Sequence, residues 1–234
     1  MGEFHPPFFL NLNTMTVLTA YKYVQDRMNK LSTNDNNNIP KHSFVDAFNA
    51  CQLHWVKNQI KLSENNIIRI DDVQQLLINK HINGVTSNLN NNYYEFDLPQ
   101  DYFHYKRSTS IVNCELYNHL KKEGDVNMLL NDEFWKPSLE WGETFCTIVG
   151  NKIRVYVDNF AITKLNLVYY RKPISINMED GFKDENEVMN INIDPEFEGT
   201  AIYEILNMTV QLLSSDIADP FRLQVSTGRT QQYN

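Results

Sequence analysis

Phe145-Cys146-Thr147-Ile148-Val149-Gly150-Asn151-Lys152-Ile153-Arg154-Val155-Tyr156-Val157 places two runs rich in β-branched and aromatic residues on either side of a Gly-Asn pair. Glycine first in a two-residue link is what a type II′ turn favours, so the segment reads as an antiparallel hairpin. Working outward, Tyr93-Tyr94-Glu95-Phe96-Asp97-Leu98 runs into Pro99, Thr109 to Leu116 supplies a further extended run, and Ala161 to Tyr170 another. The predicted centre of the chain is therefore an antiparallel sheet of about four or five strands.

The flanks carry a different period. Met15, Leu18, Tyr21, Val24, Met28 and Leu31 recur every three or four residues, as on one face of a helix. Pro40, suited to a first helical turn, opens a second stretch with Phe44, Ala47, Phe48, Cys51 and Trp55 on one side. These two are predicted to pack as a hairpin. Asp71-Asp72 ahead of Val73, Leu76 and Leu77 predicts a third, short helix. Near the C-terminus, Ile202, Ile205, Leu206, Thr209, Leu213 and Ile217 form one stripe, predicting a long amphipathic helix from near Pro195 to the stop at Asp219-Pro220. The fold class is thus α+β. Its expected parts are an extended arm at 1–13, a helical region at 14–90 and an antiparallel β region at 91–178. An acidic loop with the C-terminal helix packing back on the helical region follows at 179–220, then a tail at 221–234.

Asparagine clusters at Asn36-Asn37-Asn38 and Asn90-Asn91-Asn92 while glycine is scarce, at eight. Asparagine tolerates left-handed backbone, so these clusters read as turns in glycine's place. The three cysteines, Cys51, Cys114 and Cys146, are far apart and odd in number, which reads as a reducing compartment and not as a disulfide framework. The first fifteen residues have no basic region and an apolar patch broken by Pro6-Pro7, so neither a signal peptide nor a membrane span is expected, and Met15 would serve equally well as a start.

The formal net charge of -8 is concentrated. Glu179, Asp180, Asp184, Glu185, Glu187, Asp194, Glu196 and Glu198 face one base, Lys183, in the same stretch. That argues against general nucleic-acid binding, which needs a basic face. A solvated acidic loop accounts for the stretch, and so does an acidic wall that lets DNA pass without gripping it.

Chemistry is hard to find. GxGxxG, the phosphate loop ending in Lys-Ser or Lys-Thr, and GxSxG are all missing. Cys51 with His54, and Cys114 with His119, supply two ligands each where a tetrahedral metal site needs four, so neither a metal nor a cofactor is expected. Glu140 and Glu143 could serve glycosidic chemistry with Trp135 and Trp141 as sugar platforms, but acids at a strand start are ordinarily solvent-facing, and these tryptophans read as core or interface anchors. Tyr169-Tyr170 alternates across its strand, so one ring should point inward and the other outward. With Arg171 and Pro173 at the strand's end, that places a candidate interface at Tyr169, Tyr170, Arg171 and Pro173.

The order of these elements resembles a known family. An N-terminal helical pair through Asn38-Ile39-Pro40 and Asn49-Ala50-Cys51-Gln52 leads to Phe96-Asp97-Leu98-Pro99-Gln100-Asp101-Tyr102, to Glu140-Trp141, and to the hairpin at Ile153-Arg154-Val155-Tyr156. Leu167 to Pro173, Glu198-Gly199-Thr200-Ala201-Ile202 and Asp216-Ile217-Ala218-Asp219-Pro220 follow. From about Thr14 to Arg229 the chain is similar to the head-to-tail connector or ring proteins below the portal in short-tailed, crAss-like bacteriophages. The resemblance implies a non-enzymatic virion protein assembled in the host cytoplasm as a closed homo-oligomeric ring, twelve-fold to match the portal. Such a ring would touch the portal and the adjacent ring or tail proteins, pass genomic DNA without specific binding, and need no membrane. In such a ring a polar tail is a natural means of reaching a neighbour, which makes Phe221, Arg222 and Arg229 candidate interface residues, and Asp180, Asp184, Glu185 and Glu187 are candidate lumen-facing acids that would keep DNA sliding and not bound. Another tail-tube or stopper component, or a carbohydrate-binding module of a receptor-binding apparatus, are the alternative functions.

Overall fold

The computed structural model describes residues 15–29, 39–65, 71–83, 86–88, 92–179 and 191–216. The chain is α+β and divides into two compact units, Val73–Lys172 and a discontinuous one made of Met1–Asp72 with Pro173–Asn234. The first is inserted into the second. Its entry and exit lie side by side, since Arg171 N donates to Leu76 O at 2.9 Å.

The inserted unit holds one sheet of eight strands: β1 Leu77–Ile82, β2 Thr86–Asn88, β3 Tyr93–Asp97, β4 Tyr102–Ile111, β5 Glu115–Leu120, β6 Glu143–Val149, β7 Lys152–Tyr156 and β8 Lys164–Arg171. Their order is β1-β8-β4-β5-β6-β7-β3-β2. The two edge strands, β1 and β2, are consecutive in sequence. Four peptide steps from Ile82 to Thr86 reach at most about 15 Å, whereas a flat sheet of eight strands is roughly 34 Å across. The sheet must therefore curl. Its concave side closes on one core, in which Ile78 and Ile82 of β1 and Phe96 of β3 meet Cys146, Ile153, Val155, Leu165 and Leu167.

The hairpin at the centre of the sequence is β6–β7, with Val149 opposite Lys152. Gly150 has φ +60 while Asn151 is not among the residues of positive φ, the combination that a type II′ turn has. Asn92 and Asn159 adopt positive φ without being glycine, at +54 and +56, which is asparagine acting where glycine would otherwise stand.

Several sequence expectations are corrected. Strands are eight and not four or five, and the sheet is mixed, because β5 and β6 pair in parallel. The run Thr109 to Leu116 is not one strand: the chain turns between Ile111 and Glu115, and Thr109 lies opposite Tyr117. The segment expected to be helical up to residue 90 contains β1 and β2. Among the described residues after Asn65, the expected short helix is Asp71–Gln74 (α3), and Leu77, expected on it, opens a strand instead.

In the other unit, α1 Val17–Asn29, α2 Lys41–Asn65 and α5 Gly199–Asp216 carry the core, and α4 Val126–Asn131 belongs to the inserted unit. α1 buries Val17, Ala20, Val24 and Met28, and leaves Leu18 exposed against expectation, because the buried stripe runs one residue earlier. Rather than forming a plain hairpin, α1 and α2 each pack along α5, and meet more sparsely where Tyr21 sets its ring edge against Phe44 at 5.3 Å. α5 starts at Gly199, whose φ of +61 turns the chain, four residues after Pro195. Asp219-Pro220 and the tail lie outside the described residues. Being central, α5 buries more than one face, and its Thr209 and Ser214 hydroxyls donate back to Ile205 O and Val210 O, at 2.9 and 2.6 Å, so that no polar group is stranded.

The segment that leaves the sheet is tied to α2. Asn49 Nδ2 donates to Ile176 O at 3.2 Å and Asn49 Oδ1 accepts from Ile176 N at 2.8 Å, while Gln52 Nε2 donates to Ile174 O at 2.8 Å. This seats Ile176 and Met178 in the core. Asp194 Oδ1 accepts from Val17 N at 2.8 Å and so caps α1 from a distance. Asn49→Ala strips both backbone groups of Ile176 of their partner. The expected loss is about 2 kcal/mol, seen as a lower urea midpoint at unchanged slope.

Candidate interaction surface

A parallel strand pair needs a crossover, and residues 121–142 supply it between β5 and β6. After a 3-10 turn at Glu123–Asp125, α4 lays Val126 and Leu129 onto the convex side of the sheet, against Phe145 and Tyr156, with Tyr93 beside them. Phe145 and Tyr156 stack at 4.6 Å. Beyond α4 the chain is pinned locally. Phe134 N donates to Asp132 Oδ1 at 2.8 Å, Lys136 N to Asp132 O at 3.0 Å, and Trp141 N to Ser138 Oγ at 3.3 Å. Ser138 and Glu143 form a two-way bridge, and Gly142 sits at φ +70 between Trp141 and Glu143.

This held loop points large apolar side chains at solvent. Phe134 is 75% exposed, Trp141 60% and Trp135 52%, with Met128 and Leu139 exposed as well. Aromatic rings bury about 150–250 Å² each when covered, and about 25 cal/mol is recovered per Å², so leaving three in water is costly unless something else covers them. Tyr117 and Leu120, on β5 at the crossover's start, are exposed too. Lys121 Nζ lies 4.2 Å above the Trp135 ring, a cation–π contact that occupies one face of that indole.

At the foot of the crossover, His119 Nε2 approaches Glu143 Oε2 at 3.3 Å, with the Tyr117 ring edge-on to the imidazole at 4.9 Å. A histidine and a carboxylate can serve acid–base chemistry, but only with a nucleophile or substrate group in reach. The nearest chemically interesting groups have their own closed arrangement inside the sheet. Ser110 Oγ donates to Asn118 Oδ1 and Asn118 Nδ2 to Ser108 Oγ, both at 3.0 Å, while Tyr105 OH meets Ser108 Oγ at 3.0 Å and Cys146 Sγ at 3.8 Å. Burial pushes the Cys146 thiol up to about 11 and raises Tyr105 further still. Cys146 is therefore a protonated, inert core residue at neutral pH. Cys51 is buried beside Thr209, and its thiol is likewise raised by desolvation. Among the described residues, no group of three or more His, Cys, Asp or Glu converges as metal ligands would. No helix among them is long and apolar enough to cross a membrane.

A charged group lines the convex side of β3 and β7. Glu95 accepts from Lys152 Nζ at 3.0 Å and from Arg154 Nε at 2.9 Å, and Arg154 Nη1 reaches Glu123 at 3.1 Å. Arg154 also lies over the Tyr93 ring, at 5.0 Å. The hydrogen bonds from Lys152 and Arg154 hold the Glu95 carboxyl below its ordinary range. A lowered folded-state value means stability that is present above the unfolded carboxylate range and is lost as pH falls through the folded one. Glu95→Gln should therefore flatten the acid limb of the stability curve below about pH 4 and change stability at pH 7 by about 1 kcal/mol or less.

The predicted interface at the end of β8 is largely withdrawn from solvent. Tyr169 and Tyr170 are 1% and 3% exposed. Tyr169 OH donates to Asp101 Oδ1 at 2.9 Å, and burial raises its hydroxyl to about 12. The two rings do alternate, Tyr169 to the concave side and Tyr170 to the convex side, but that side is covered too and the Tyr170 ring lies beside His104. Arg171 Nη1 donates to Lys172 O, and Pro173 is half-buried. Phe221, Arg222 and Arg229, with Asp180, Asp184, Glu185 and Glu187, lie outside the described residues. Of the sequence candidates, Trp135 and Trp141 share the crossover, whereas Phe134 carried no sequence signal beyond its position next to Trp135.

No protein-family model matches the chain, and no curated protein matches it either.

Proposed function

We propose that this chain is a non-enzymatic structural subunit of a phage virion. It forms a ring in the head-to-tail connector, extends the portal's DNA channel and docks the next tail component. The exposed aromatic crossover carries the reading. Phe134, Trp135 and Trp141 stand on a loop held by its own hydrogen bonds, and Trp and Tyr are enriched where subunits grip one another. The resemblance in element order supplies the setting: twelve-fold symmetry matched to the portal and DNA passing without specific contact. Repulsion of phosphate by the acidic stretch supports its place on the lumen side.

A ring needs two different, complementary surfaces on each subunit. The crossover is offered as one of them. Immobilised chain should retain the portal rings of its own particle and do so less well once Trp141 is replaced by Ser. Portal rings that pass unretained over the unaltered chain at low salt would remove the connector role.

One observation favours a second reading, a sugar-binding surface, since Trp135 and Trp141 are exposed on one loop. Stacking on a pyranose needs a clear indole face, and Lys121 covers one face of Trp135. A glycan array separates the two readings: specific sugar binding lost in Trp141→Ser would replace assembly as the function of the loop.

A further inference from the structure

Eleven of the fifteen large apolar side chains that the described residues expose fall into two groups, one on each unit. The first is the crossover with its foot, seven side chains from Tyr117 to Trp141. The second belongs to the other unit and consists of Leu18, Ile174, Ile191 and Ile193, at 53%, 50%, 54% and 38% exposure. The remaining four are scattered over α2, β1 and α5. Single apolar side chains on a surface are ordinary, whereas groups of them mark contact sites.

The second group is held as closely as the first. Asn177 N donates to Ile193 O at 3.3 Å and Ile193 N to Asn177 O at 3.0 Å, so the segments around them run antiparallel as a short ribbon. Opposite residues of such a pair share a side, and the sides alternate along each segment. Ile176 and Met178 take the inner side, where they are buried, which leaves Asn177, Glu179, Ile191 and Ile193 on the outer one. Glu179 N donates to Asn192 Oδ1 at 2.7 Å and closes one end of the ribbon. At its other end Ile174 N donates to Glu196 Oε1 at 2.9 Å. Leu18 adjoins through Val17, whose N–H donates to the carboxylate of Asp194, the residue after Ile193.

We infer that the aromatic crossover of one copy docks on this isoleucine ribbon of a second copy. Three rings exposed to the extent of Phe134, Trp135 and Trp141 offer about 300–450 Å² of apolar surface. That is close to the apolar share of a standard interface, somewhat more than half of roughly 800 Å² on each partner. Pairing like with like, crossover on crossover or ribbon on ribbon, makes a closed dimer and leaves the other group in water. Crossover on ribbon covers both groups and repeats from copy to copy, which is the head-to-tail contact that a ring requires. The charges agree with this pairing. Lys121, lying over the Trp135 ring, makes no ion pair with a described residue, and the exposed Glu179 shares the outer side of the ribbon with the two isoleucines. A charge pair of this kind sets register more than affinity. Since both segments are held by their own hydrogen bonds, little ordering remains to be done on docking. The inference rests on the assembly reading, names the partner of the crossover and supplies the second of the two surfaces.

The test places the photoreactive residue p-benzoylphenylalanine at position 134, in place of Phe134, in chain of natural isotope content. This chain is mixed with ¹⁵N-labelled chain that carries no probe, with and without portal rings, and the links made on illumination are located by mass spectrometry. Links from position 134 to residues 15–18, 174–179 or 191–194 of a ¹⁵N chain are the expected result. Their yield should fall at least about tenfold when the ¹⁵N chain carries Ile191→Asp with Ile193→Asp. Leu62→Gln in the same chain, at an exposed leucine outside both groups, should leave the yield unchanged. Circular dichroism verifies that the variants fold.

Links to the ribbon that never carry ¹⁵N would mean that a chain reaches its own ribbon, and would overturn the inference. So would a yield that the double variant leaves unchanged. Links from position 134 to the crossover of a ¹⁵N chain would overturn it in favour of a two-fold dimer. Links to the portal alone would give the crossover to another component, overturning the inference while leaving the connector reading standing. No links to any chain, with or without portal, would count against both.

Discussion

The double variant Phe134→Ser, Trp141→Ser should leave the fold intact and weaken assembly by at least about a hundredfold. Central aromatic anchors each contribute about 2 kcal/mol or more to an interface, and two of them correspond to a factor of about a thousand if fully additive. Both rings stand largely in solvent, so their loss should alter folding stability by no more than about 0.5 kcal/mol. Sedimentation velocity of the purified chain and incorporation into particles read the assembly effect, and thermal unfolding reads the stability. A drop in melting temperature that accounts for the assembly loss would turn the crossover from an interface into part of the fold. Trp135→Ser is expected to act more weakly, because Lys121 already lies on one face of that ring.

The largest expected effect on stability lies elsewhere. Trp55 on α2 sets its ring edge-on to Phe197 at 5.0 Å and donates Nε1–H to Glu204 Oε2 at 2.7 Å, tying α2 to α5 and to the segment preceding it. Trp55→Ala removes a buried indole from the middle of the helical unit and strands a charged acceptor. It should cost about 3–5 kcal/mol, a large share of the total stability of a domain. Trp55→Phe keeps the packing but not the donor, and should cost about 1–3 kcal/mol. Chemical denaturation of the three proteins separates the two contributions. Equal losses in both variants would mean that the hydrogen bond, not the packing, holds α2 to α5.

What the sequence disclosed of the fold follows from how each element is buried. The β6–β7 hairpin was legible because its turn needs glycine and its strands are rich in apolar and β-branched residues, with Phe145, Cys146, Ile153, Val155 and Tyr156 buried. α2 was legible because Phe44, Ala47, Phe48, Cys51 and Trp55 share one buried face. β1 was not: as an edge strand it leaves Asn79, Lys80 and His81 in solvent and shows no alternation. The turn between β4 and β5 was hidden because Val112-Asn113-Cys114 contains neither glycine nor proline. The parallel pairing of β5 and β6 depends on a crossover whose only helix has six residues, too short for a periodic signal. Tyr170 shows the limit of alternation, which tells which side of a strand a ring takes but not whether that side is covered. The same limit applies to the site. Trp135 and Trp141 could be read as core or interface anchors, and only their exposure separates the two.

The central claim is that this chain is a ring subunit of a phage particle. Quantitative mass spectrometry of purified virions, with the portal protein as internal standard, tests it most directly. About one copy per portal subunit is the expected result, as a connector ring of matching symmetry requires. Particles that carry the portal and none of this chain would contradict the account.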